Sequence, residues 1–142
     1  MIECIFCKII RRESPAEILY ETENTLSFLD INPINLGHVL VVPKLHIEIF
    51  HSIPYDLLFE LAKATSILSQ AIIESLKPDG YNIFSNNGKY AGQTISHFHF
   101  HITPRYRGDG IKFKPVVKQY KKDEIQYFGK LIRDKIKNST EG

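Results

Sequence analysis

The run His97-Phe98-His99-Phe100-His101-Ile102 spaces three imidazoles two residues apart. In a β-strand successive side chains point to opposite faces, so His97, His99 and His101 share one side while Phe98, Phe100 and Ile102 share the other. Same-face neighbours stand roughly 6.5–7 Å apart along such a strand, a spacing at which one phosphate, one metal ion, or both can meet the ring nitrogens. Imidazole is costly to desolvate, and packing alone asks for no such repetition. A neutral imidazole is also a good nucleophile toward phosphorus that needs no strong base to activate it. His99 is the natural attacker, because one neighbour can set its tautomer while the other donates to a phosphate oxygen. Just upstream, Gly92-Gln93-Thr94 offers an amide, a hydroxyl and backbone N–H groups, with Gly92 permitting close backbone approach. A row in which all three histidines ligate a metal is the other chemistry this spacing allows.

A second cluster opens the chain. Cys4-Ile5-Phe6-Cys7 is half of a zinc site, a dithiol redox motif, or two small buried residues. With only two cysteines present, a four-ligand site must recruit histidines, which stand at 38, 46, 51, 97, 99 and 101. A redox role wants the pair at a helix start after a strand, and here it precedes every predicted strand.

The elements that must carry these residues follow from periodicity and punctuation. Lys8 to Arg12 is predicted as a short helix ended by Ser14-Pro15. Residues 18–21 and 25–30 alternate around Thr22-Glu23-Asn24 and read as a hairpin, and His38 to Val42 is a β-branched strand stopped by Pro43. From Pro54 to Leu76 apolar residues recur at steps of three and four, the signature of an amphipathic helix, with Ser52 as its expected cap. Residues 81–86 form another strand, and a glycine-bearing loop leads to the histidine strand. Asp123-Glu124-Ile125-Gln126 resembles a capping box for a last helix, and residues 137–142 are expected to fray. Five strands, two main helices and few βαβ repeats predict an α+β fold with a mainly antiparallel sheet.

Composition narrows the class. A chain of 142 residues with 43% hydrophobic residues fits one domain, residues 1–142, with a tail from about 106 that is partly extended and ends in a helix. A net charge of +2 is too balanced for a protein that neutralises many nucleic-acid phosphates. The basic residues after the histidine run read first as a solvated face and second as a rim that attracts an anionic small molecule. No run of eighteen apolar residues and no leader pattern is present, so a soluble cytoplasmic protein without a membrane partner is expected.

His97 to Ile102, with Gly92-Gln93-Thr94 before it, resembles the His-φ-His-φ-His-φ-φ signature of the histidine triad (HIT) family of nucleotide hydrolases and transferases; Thr103 stands where the seventh apolar residue falls. The resemblance extends over Cys4 to Ile10, Phe28 to Ile31, His38 to Ile47 and Pro104-Arg105. It implies a HIT-like fold and a homodimer acting on purine nucleotides such as nucleoside phosphoramidates, through a nucleotidyl intermediate on His99. By the same pattern His101 is a phosphate-binding partner, Gln93 lies near the leaving group, and Thr94 and Asn86 contact phosphate. Gly92 borders the same site, Asp30 holds the ribose hydroxyls, and Phe6, Ile9, Phe28, Leu29 and Ile31 form the purine slot. Asp30 and Asn86 also read as turn residues, and Phe28 as plain core. Prokaryotic members of this type imply a structural zinc on Cys4, Cys7, His46 and His97, with His51 as rival to His46, and no redox or organic cofactor. Two other readings stay open: a dinucleoside polyphosphate hydrolase, and a nucleotide-binding regulatory protein with incidental turnover.

Overall fold

The computed structural model describes residues 3–137, and the chain divides after Ile111 into two compact units. In the first, five strands form one sheet of order β1-β2-β3-β5-β4, every neighbouring pair antiparallel. The strands are β1 (Ile18–Glu21), β2 (Thr25–Leu29), β3 (Val39–Pro43), β4 (Gly80–Phe84) and β5 (Phe100–Arg105), and the helices of this unit are α1 (Ile5–Ile10) and α2 (Tyr55–Leu76). This is the expected α+β architecture.

β3 sits in the middle and all five of its residues are buried. Its alternation divides the core into two layers. Val39 and Val41 join Leu57, Leu61, Ala64, Leu68 and Ile72 of α2 on one face, where Phe98 and Ile102 also pack. Leu40 and Val42 face the other way, with Leu26 and Phe28 of β2 and with Phe6 and Ile9 of α1. The three- and four-residue steps of α2 therefore cover one face of the sheet, and α1 covers part of the other. The rest of that second face is free to hold a cleft.

Three local expectations are corrected. The histidine strand begins only at Phe100; His97, Phe98 and His99 lie in an extended, bent lead-in. There the Phe98 N–H bonds to the carbonyl of Ile47 at 2.7 Å, so the lead-in is anchored to a loop and not to a neighbouring strand. The alternation survives, because Phe98 and Phe100 still pack toward α2. Ser52 does not cap α2: it ends a 3-10 turn over Phe50–Ser52, and Pro54 takes the N-cap position without a side-chain bond. The early helix covers Ile5–Ile10 and not Lys8–Arg12, which brings both cysteines onto its first turn.

The second unit comprises an irregular stretch from Lys112 followed by α3 (Glu124–Arg133). Its capping box is not formed: Asp123 has φ +65° and makes no cap bond, and the carboxylate of Glu124 instead accepts from the N–H of Lys121. Residues 138–142, the greater part of the expected frayed end, lie outside the described residues.

Candidate active site and metal centre

The second face of the sheet carries a cleft of about 560 Å³. Its apolar wall comes from α1 (Ile5, Phe6, Ile9), the end of β2 (Phe28, Leu29) and Ile31, with Leu40 of β3 beneath. At the polar end stand Asp30, Thr94, His99 and His101. Sequence reasoning missed the Ser14-Pro15-Ala16 turn, which closes one side, together with Ile5, Leu40 and Ile95.

The His99 ring is 7% exposed and packs edge-on against Phe6, with ring centres 5.1 Å apart. Its Nδ1–H donates to the carbonyl oxygen of its neighbour His97 at 2.8 Å. With that proton on Nδ1, the Nε2 lone pair of a neutral ring is the free one. This is the state a nucleophile needs.

His101 is held by a residue the sequence had left without a role. The Ile34 N–H donates to Nδ1 of His38 at 3.0 Å, so that nitrogen carries no proton and the neutral ring is protonated on Nε2. His38 Nε2 lies 2.9 Å from Nδ1 of His101 and donates to it. His101 must then keep its own proton on Nε2, an atom that is buried and has no partner among the described residues. Phe84 stacks on the His101 ring at 4.3 Å and fixes its plane. The backbone N–H of Ile34 thus fixes, through His38, the Nε2–H tautomer of His101, whose ring centre is 4.6 Å from that of His99. In the sequence His38 shows only as the residue before β3, two places from Leu40; it is the pairing of Leu40 with His101 that brings the two imidazoles together.

Burial pushes the rings toward neutrality. His101 is lowered to about 3, first by burial and then by the neighbouring His99 and His38. Burial is also the leading cause for His99 and His38, both of which are lowered. Asp30 Oδ2 stands 3.8 Å from His38 Nδ1, but that nitrogen already accepts from Ile34, so the two are not an ion pair at neutral pH. The other Asp30 oxygen accepts from the Asn32 N–H at 2.9 Å, which turns the carboxylate at the cleft mouth.

The glycine-bearing loop is more internally committed than expected. Gln93 accepts from the Gly88 N–H at 2.8 Å, and its amide nitrogen donates to the carbonyls of Glu48 and Ile95 at 2.8 and 3.2 Å. It braces two loops and does not line the cleft. Asn86 donates to the carbonyl of Gly92 at 3.4 Å, and Gly92 has φ +94°, a conformation that favours glycine. Neither of these two lines the cleft either.

On the other side of His97 the four expected metal ligands meet. Donor atoms of Cys4, Cys7, His46 and His97 all lie within 4.8 Å of one another. His97 Nδ1 is 3.4 Å from Cys4 Sγ, 3.7 Å from Cys7 Sγ and 3.1 Å from His46 Nδ1, and Cys7 Sγ is 3.3 Å from His46 Nδ1. One tetrahedral ion with metal–sulfur bonds of about 2.3 Å and metal–nitrogen bonds of about 2.0–2.1 Å has ligand–ligand edges of roughly 3.3–3.8 Å. The donor set fits. His97 Nε2–H donates to the carbonyl of Pro43 at 2.8 Å, which leaves Nδ1 as the ligating nitrogen. His51, the rival, sits in the 3-10 turn and is not in the cluster. Asp30, His38 and His101 form a second group of donors, but the internal bonds of His38 already explain their approach.

A five-stranded antiparallel sheet with an imidazole trio leading into a central strand, over an apolar cleft, defines a protein of histidine-triad type. The HIT domain matches residues 11–108, and the chain belongs to that family. It is 52% identical over 124 residues to an uncharacterized HIT-like protein of Methanocaldococcus jannaschii, covering 86% of this chain and 95% of the other. It is 44% identical over 106 residues to the adenosine 5'-monophosphoramidase HNT1 of Candida albicans, covering 72% and 70%. Among solved structures, a HIT family member from Bacillus subtilis superposes with a TM-score of 0.87 at 39% identity, over 97% of this chain and all of the other. A Zn-bound histidine triad family protein from Mycobacterium smegmatis gives 0.73 at 39% identity, over 81% and 84%.

Proposed function

We propose that this chain is a HIT-family hydrolase that cleaves purine nucleoside phosphoramidates at the α-phosphorus through a nucleotidyl-His99 intermediate. The observation that carries this reading is the buried Nε2 of His101, without a partner among the described residues, in a ring whose centre is 4.6 Å from that of His99, whose own Nε2 is free, both rings lining an apolar cleft. The phosphoramidase name of the Candida albicans relative supports the substrate class.

In the first step His99 Nε2 attacks the phosphorus of a phosphoramidate protonated on nitrogen, the P–N bond breaks with its electron pair going to the amine, which leaves neutral, and the His101 Nε2–H donates a hydrogen bond to a phosphoryl oxygen. Water then attacks phosphorus, the P–His99 bond breaks and restores the neutral imidazole, and the proton lost by the water passes to solvent as the nucleoside monophosphate is released. His38 holds His101 in the tautomer whose Nε2–H can donate to the phosphate. Asp30 receives the ribose hydroxyls, and Phe6, Ile9, Phe28, Leu29 and Ile31 hold the purine. Thr94 contacts the α-phosphate oxygens, with Gly92 and Asn86 shaping the turn beside them. Gln93 reaches the leaving group by exchanging one of its bonds to Gly88, Glu48 or Ile95.

Zinc on Cys4, Cys7, His46 and His97 would tie α1 and the loop after β3 to the lead-in that presents His99. It would supply structure and Lewis-acid charge to its ligands; the bonds made and broken in the reaction belong to His99, substrate and water. The working protein is a cytoplasmic homodimer in which residues 112–142 belong to the same HIT domain as the rest. In keeping with that, no helix among the described residues is long and apolar enough to cross a membrane.

The test is brief incubation with α-labelled adenosine phosphoramidate, a quench that avoids acid, and mapping of the label. The adduct is expected on His99, and His99→Ala is expected to lose at least about 10⁴-fold in turnover with nucleotide affinity little changed. Label on another residue, or product formed without any adduct, overturns the mechanism.

A further inference from the structure

We propose that the hydroxyl of Ser14 bonds to the outer edge of a purine base and makes the cleft prefer purine over pyrimidine nucleotides. The inference rests on the nucleotide reading of the cleft in the proposed function and adds to it a residue that determines which base is taken.

Ser14 stands on a turn that is fixed at both ends. After α1 the chain reverses at Arg12, which has φ +63°, and the N–H groups of Arg12 and Glu13 close on the carbonyls of Ile9 and Lys8 at 3.0 and 2.8 Å, the pattern of a Schellman motif. The Arg12 guanidinium also donates to the Ile9 carbonyl at 3.4 Å and to the Glu21 carboxylate of β1 at 2.6 Å. Pro15 has a fixed φ and disfavours a helical Ser14. At the far end the Glu17 carbonyl accepts from the Leu29 N–H at 3.0 Å. A short turn tied to α1, β1 and β2 holds its side chains in place before any ligand arrives.

The place of the turn sets what it meets. The cleft runs across His101 of β5, Leu40 of β3 and Phe28 of β2 to Ser14, Pro15 and Ala16 just before β1. With neighbouring strands about 4.8 Å apart, three spacings make about 14 Å, room for a phosphate, a ribose and a purine laid end to end. Phosphate at His99 and His101 and ribose at Asp30 leave the base between Phe6, Ile9 and Phe28, with its outer edge toward the turn. Apart from Ser14, the polar side chains lining the cleft are Asp30, Asn32, Thr94, His99 and His101, which belong to the sugar and phosphate end. A base edge buried in the apolar end without a partner loses its hydrogen bonds to water.

Ser14 is half-buried, and its hydroxyl makes no hydrogen bond among the described residues. A hydroxyl both donates and accepts, so it serves the groups at N1 and C6 of adenine and of guanine alike. The corresponding edge of a pyrimidine stops short by the width of a five-membered ring.

The experiment is a set of NMR titrations of the full chain with AMP, GMP and CMP, wild type beside Ser14→Ala. The substitution is expected to weaken AMP and GMP each about 3- to 10-fold, the scale of one neutral hydrogen bond, and to change CMP by less than about twofold. A loss that CMP shares, or one that either purine nucleotide escapes, overturns the role of Ser14 and leaves the proposed function standing. Wild type that takes up neither AMP nor GMP overturns both.

Discussion

The carbonyl of His97 accepts the Nδ1 proton of His99 at 2.8 Å, while the His97 ring, turned the other way, stands among two sulfurs and a second imidazole. One residue therefore belongs to the metal cluster through its side chain and orients the attacking imidazole through its backbone. The two sites are joined by a single peptide unit, and what loosens one should be felt in the other.

Tautomers are the most direct expression of this. Long-range ¹⁵N–¹H spectra of the imidazoles at pH 7 should show His99 protonated on Nδ1, and His38 and His101 on Nε2. A His101 protonated on Nδ1 would break the chain of donors from Ile34 through His38 and remove the reason for its role as a donor to the phosphate.

Removal of the metal should propagate across the His97 peptide. Dialysis against a strong chelator, or Cys7→Ser, is expected to lower the melting temperature by about 10 °C, since the ligands tie α1 to two distant loops. It should reduce kcat about tenfold with KM less affected. Metal content by mass spectrometry, read beside calorimetry and kinetics, checks this; an unchanged melting temperature in metal-free protein would remove the stapling role.

His38 never reaches the cleft, yet His38→Ala should cost about 10²-fold in kcat while KM stays within a few-fold. His38→Gln, whose amide can still donate to His101 Nδ1, should recover part of the loss, because His38 acts by setting the tautomer of His101. A merely structural defect would not be rescued in this way. Rates of the two variants, side by side, separate the two.

Burial of His101 has a consequence for stability. Its folded pKa, about 3, lies below the ordinary histidine value of about 6.5. Between those limits the unfolded chain binds a proton that the folded chain refuses, so stability falls as pH drops through that window and is fully present above it. The slope from this one group is about 1.4 kcal/mol per pH unit. Urea unfolding of the wild type and His101→Gln at pH 7 and pH 4.5 should show a shallower fall in the variant; equal slopes would mean that His101 is not held neutral by burial.

Much of this was legible in the residues alone. The alternation of His97 to Ile102, the three- and four-residue steps of α2 and the β-branched run of β3 each encode which side faces the core, because local periodicity and burial obey the same geometry. The Cys4–Cys7 spacing likewise offered half of a metal site, although the helix turn that carries both sulfurs appeared only in the fold. What the residues could not carry was any relationship across long stretches of chain. His46 and not His51 joins the cluster because the loop after β3 turns toward α1. His38 meets His101 because β3 and β5 pair with Leu40 opposite His101, a register set by packing on both faces of the sheet. Gln93 spends its amide on Gly88, Glu48 and Ile95, contacts that exist only once two loops have closed on each other. Periodicity is a property of neighbours in sequence, and the sequence alone determined the faces. Protonation states and ligand sets are properties of neighbours in space, and only the folded chain decided them.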